Sequence, residues 1–254
     1  MSVYTSFEMI LDCRAGNAEG WSYLVRQFVP PLRWLAQRYG GGEPAVKQVL
    51  ATPGGMDGIE PMVEREFMAS LRPRMLAACG WKGGRAGTLE LETMAEALAP
   101  LTLLERQIVW FETMSYNLDD TARLTRVSVD TARKARERAG ELLRGRLDSW
   151  TQTIIADNGG LLSDQAGATK PAEPVAFRHF LDIIDGRMTW QLRAEVEPKI
   201  ESSWFEIDHF CRIREADAAV RDTKPLQPEE AAGYLSDMGV RQPRVSLWKR
   251  LLGG

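Results

Sequence analysis

The densest concentration of potential chemistry in this chain is cationic. Between positions 123 and 146 stand eight bases, Arg123, Arg126, Arg133, Lys134, Arg136, Arg138, Arg144 and Arg146, against three acids, Asp130, Glu137 and Glu141. Guanidinium and ammonium groups in such a cluster neutralise phosphates, the interaction that supplies most sequence-independent affinity for a nucleic-acid duplex. Ser128, Asp130 and Thr131 stand just ahead of the bases, and short polar side chains at the start of a helix are the ones that reach base edges. The candidate contacts are therefore Arg126, Ser128, Asp130, Thr131, Arg133, Lys134 and Arg138, with the bases directed mainly to phosphates. The same charge pattern describes the solvated face of an ordinary amphipathic helix, so the elements beneath it carry the decision.

Other chemistries find little support. The chain has two histidines and three cysteines, Cys13, Cys79 and Cys211, widely separated and without a CxxC pair. Neither a disulfide framework nor a structural zinc site matches that spacing, and each cysteine reads as a small buried hydrophobe. No phosphate-cradling glycine loop and no nucleophile motif is present, so the expectation is a non-enzyme without cofactor or metal. Over 254 residues the net charge is −3, with 44% hydrophobic and 26% charged residues, ordinary for two or three compact domains. Any nucleic-acid contact is thus local to one segment. No apolar run is long enough to span a bilayer and no basic-then-apolar leader opens the chain, which makes a cytoplasmic location the expectation.

Three helices are expected to hold the cationic segment. Leu101, Leu104, Ile108 and Phe111 recur at three- and four-residue steps and lay one apolar stripe on a first helix. Asn117 or Asp119 can cap a second helix over 118–124, and residues 125–127 then turn the chain. Ser128 can cap a third helix, on which Ala132, Ala135, Ala139 and Leu142 or Leu143 return to one face. Small alanines allow close approach to the second helix while the opposite face stays free for a groove, the requirement of a helix-turn-helix.

Residues 101–143 resemble the C-terminal promoter-reading domain of bacterial RNA polymerase sigma factors of the extracytoplasmic-function type. The matching pieces are Leu101, Glu105-Arg106, the Tyr116 stretch, Thr121-Ala122, Ser128 with Thr131, and Arg138-Ala139 with Leu143. The segment departs from the pattern in lacking a glycine before the third helix and in placing Arg136 where the family has an apolar residue, with Ala135 available to take over the packing. Residues 14–40 resemble the first helices of the family's N-terminal domain, an aromatic-rich stripe of Trp21, Leu24, Val25 and Phe28 interrupted at Pro30-Pro31 and resumed by Leu32, Leu35 and Tyr39. The polymerase-binding helix that the resemblance implies is not recognisable. A helix over 61–78, with Met62, Phe67, Leu71 and Met75 inward, offers only Glu60, Glu64 and Glu66 as an acidic remnant, flanked by breaks at 40–42 and 53–55.

Helices are further expected over 177–184, 189–200 and 204–220. This part resembles the zinc-binding anti-sigma domain, with Trp204 in the place of the helical histidine and Asp208 in that of the first cysteine. Cys211 keeps its place, and His209 is an out-of-register neighbour. Packing of Trp204 and Phe205 is expected to replace the metal. The expected organisation is all-α: a helical N-terminal bundle at 1–80, a linker at 81–94, the helix-turn-helix domain at 95–150, a linker at 151–174, a small helical C-terminal domain at 175–222 and a tail at 223–254. Two functions follow. One is a transcription regulator that binds duplex promoter DNA, engages RNA polymerase core weakly if at all, and is restrained by its C-terminal domain. The other is a sigma mimic or adaptor that occupies an anti-sigma factor or another protein without reading DNA.

Overall fold

In a computed structural model the chain is described over residues 4–51, 56, 59–60, 62–81, 99–144 and 170–240. Those residues form eleven helices and no strand: α1 Ser6–Arg14, α2 Ala18–Arg38, α3 Glu43–Ala51, α4 Glu64–Ala78, α5 Leu103–Thr113, α6 Leu118–Thr125, α7 Val129–Arg144, α8 Phe177–Ile184, α9 Trp190–Glu201, α10 Trp204–Asp222 and α11 Pro228–Asp237. The all-α architecture is as expected. Among the described residues no helix is long and apolar enough to cross a membrane. The chain divides into two compact units, one of residues 1–79 with 219–254 and one of residues 80–218, and the division falls within α10. The expected linkers at 81–94 and 151–174 and the end of the tail lie largely outside the described residues.

The first unit packs α1 to α4 and α11 around Met9, Ile10, Leu24, Phe28, Leu32, Phe67 and Met75, all inaccessible to solvent. Two findings differ from the sequence reading. Helix α2 is not interrupted at Pro30-Pro31 but runs through both prolines. A proline in a helix leaves the carbonyl four residues back without a donor, and for Pro30 that carbonyl is Arg26. It is satisfied from outside the helix, accepting the Leu226 amide at 2.8 Å. Helix α3 was not expected between its flanking glycine clusters; Ala45, Val46, Val49 and Leu50 bury one face of it. Gly41 permits this, since a β-carbon there would collide with the Cys79 sulfur, and its amide instead donates to the Ala36 carbonyl at 2.8 Å.

In the second unit the segment expected as a separate C-terminal domain, α8 to α10, is packed with α5 to α7. Helix α5 begins with a capping box, Thr102 accepting from the Glu105 amide while Glu105 returns to the Thr102 amide. Ile108 of α5, Ala122 of α6 and Ala132 of α7 form a small core, extended by Leu104, Leu118, Val127 and Ala135. Ala135 thus supplies the packing that Arg136 cannot. The other side of α5 carries a polar ladder to α10. Trp110 Nε1 donates to Asp208 at 3.1 Å, Arg214 Nε donates to the Gln107 side-chain oxygen at 2.5 Å, and the Tyr116 hydroxyl donates to Glu215 at 2.6 Å. The Trp110 and Trp204 rings stack with centroids 5.5 Å apart.

Candidate nucleic-acid interface

Helix α7 owes its position to its small residues. Ala132 and Ala139 are buried, and alanine lets the backbone approach α5 and α6 closely. The start of the helix is fixed by Ser128, whose Oγ accepts the Thr131 amide at 3.1 Å and lies 2.8 Å from the Thr131 hydroxyl. Around this face Ser128, Val129, Asp130, Thr131, Arg133 and Lys134 are all exposed.

The charged side chains separate into three groups. Asp130 pairs with Lys134 at 2.8 Å and Arg133 at 3.3 Å. The hydrogen bond from Lys134 holds the Asp130 carboxyl below its ordinary range and raises the lysine, so both members of that pair are charged at neutral pH. Further along, Arg136 pairs with Glu112, whose carboxyl is raised by burial against the opposing pull of that arginine. Arg138 lies 3.3 Å from Glu105, a nearly buried carboxylate. The third group is Arg126 alone. It is the last residue of the α6 cap, in the left-handed region at φ 58°, and its guanidinium donates to both oxygens of Asp217 on α10.

Of the seven expected contact residues, five are exposed at the start of α7: Ser128, Asp130, Thr131, Arg133 and Lys134. Arg138 is exposed but shared with α5, and Arg126 is committed to α10. Among the described residues no group of three His, Cys, Asp or Glu side chains could hold a metal. Trp204 stacks on Trp110 and Asp208 accepts from it, so the two positions that depart from the anti-sigma pattern serve one tryptophan. Comparison with protein-family models, curated proteins and solved structures returns no match.

Sequence reasoning missed the carboxylates that partition these bases. Glu105 was accessible to it, since Thr102 three residues earlier marks a capping box that points the acid at the head of α5. Asp217 was not, because it lies 91 residues from Arg126 and no local periodicity relates the two.

Proposed function

We propose that the unit of α5 to α10 is the duplex-DNA contact of a transcription regulator of the extracytoplasmic-function sigma type, with α7 as the helix that enters the groove. The observation that supports this is the division of α7 into an alanine face in the core and a polar first face in water. Arg133 and Lys134 meet phosphates, while Ser128, Asp130 and Thr131 stand nearest to base edges at the helix start. Phosphate competes with Asp130 for the two bases; Arg138 can join by leaving Glu105. The C-terminal helices meet this unit at Arg126, which Asp217 of α10 holds. The partner is promoter DNA, and the role belongs to the cytoplasm.

The test is fluorescence anisotropy of the full chain with a labelled duplex across a salt series. Arg133→Ala with Lys134→Ala should weaken binding roughly ten- to a hundredfold and make the log–log salt slope shallower by about two, as two phosphate contacts are lost. Equal affinity and slope in the double variant would place the contact elsewhere.

A second reading rests on a specific observation. Arg126, Arg136 and Arg138 are each paired with a carboxylate of the same chain, which lowers the positive potential below what the sequence suggests. Wild-type protein without salt-dependent duplex affinity would favour the adaptor that engages an anti-sigma factor or another protein.

A further inference from the structure

The turn between α6 and α7 holds a conformation that ordinarily calls for glycine. Arg126 lies at φ 58°, ψ 40°, where a β-carbon crowds the backbone and glycine does not. A strained position that persists is over-determined by its surroundings, and here the surroundings are specific. One terminal nitrogen of Arg126 donates to both Asp217 oxygens at 2.8 and 2.7 Å, Nε donates to Asp217 at 3.2 Å, and the other terminal nitrogen donates to the Ile184 carbonyl at 3.2 Å. That last nitrogen also lies 3.6 Å from Asp185. Asp217 is 5% exposed, so the pair is largely shielded from water on the α10 side, and a planar guanidinium meeting a carboxylate at several points fixes orientation as well as distance. Val127 follows Arg126 and packs on the α5–α6–α7 core, and Ser128, the cap of α7, comes next.

We propose that Asp217 is a positioning residue for the α7 interface: through Arg126 it sets the direction in which the chain leaves α6 and enters α7. The proposal rests on the reading of α7 as the DNA contact, and it reassigns Arg126 from phosphate ligand to internal anchor. It also gives α8 and α10 a role in DNA affinity without any contact to DNA.

The experiment combines backbone hydrogen exchange with duplex titration on the full chain. Asp217→Ala should increase exchange at the amides of residues 127–132 while leaving α5 at wild-type protection, and should weaken duplex binding roughly three- to thirtyfold, the range of indirect coupling. Asp217→Asn, which keeps an acceptor oxygen, should recover part of both effects. Arg126→Gly should keep α7 protected, because glycine adopts the turn without the side-chain anchor, and adding Asp217→Ala to it should change nothing further. Its salt slope should equal that of the wild type. A slope reduced by about one would show Arg126 meeting a phosphate and overturn the proposal. So would Asp217→Ala with wild-type exchange, or additive effects of the two substitutions. If the wild type binds no duplex the DNA reading fails, and exchange alone still decides whether Asp217 positions α7.

Discussion

His209 on α10 sits against aromatic rings, with the Phe180 centroid at 5.2 Å and Phe205 at 5.7 Å. Burial, reinforced by Arg212 and Lys170, lowers its pKa from the ordinary 6.5 to about 4. The unfolded chain therefore takes up a proton at this site at a higher pH than the folded chain does. Stability is full above pH 6.5 and is lost as pH falls toward 4, by up to about 3 kcal/mol from this one group. His209→Phe, which keeps the ring packing, should flatten the urea-unfolding stability between pH 7 and pH 4.5. Glu206, also buried on α10 and raised by that burial, contributes with the opposite sign as pH rises, and it is common to both proteins, so their difference isolates His209. Parallel pH profiles would mean that the imidazole is hydrated.

At the scale of elements, α10 is tied to α5 by ring stacking and side-chain hydrogen bonds. Trp204 stacks on Trp110, and Asp208, Arg214 and Glu215 each bond a side chain at or just past α5. Arg214 in addition donates to the Leu124 and Thr125 carbonyls at the end of α6, and burial brings it down to about 10. Removing α10 would leave Trp110, Gln107 and Tyr116 without these partners, and buried polar groups left unpaired are costly. A chain ending at residue 164 should consequently lose cooperative unfolding in its α5–α7 part, read by circular dichroism melting, and Trp204→Ala alone should cost roughly 3–5 kcal/mol. A truncated chain that melts as sharply as the full one would restore the picture of an independent C-terminal domain. Helices α6 and α7 were legible because their starts are written locally: Asn117 accepts the Asp120 amide and Ser128 the Thr131 amide, each capping as expected. The run of α2 through Pro30 was illegible for the converse reason. The amide that satisfies Arg26 belongs to Leu226, 200 residues further on, and the same distance problem hides the Arg126–Asp217 pair.

For the whole molecule, the open question is whether core RNA polymerase recognises it. Under the sigma-factor proposal the polymerase clamp would be gripped by a charged and polar helix, and α4 occupies the stretch where that proposal would put it. Its chemistry points inward. Phe67, Met68, Leu71 and Met75 are buried, and Arg72, 2% exposed, donates to the Tyr39 hydroxyl at 3.2 Å. Burial raises both Glu64 and Glu66, so the two acids that could have formed a docking run are partly withdrawn from water. Ser70, Pro73 and Ala77 are the exposed α4 residues, and its charged residues Glu64, Arg65, Glu66 and Arg74 are half-buried beside them. An interface that depends on electrostatic steering and paired charges has little to use there. Immobilised full chain should capture core polymerase no better than an uncharged control protein at physiological salt, and Glu64→Gln with Glu66→Gln should leave that background unchanged. Strong, salt-sensitive capture that the double substitution abolishes would show α4 turning outward to dock, and would support a polymerase-binding sigma-like role carried by those two side chains.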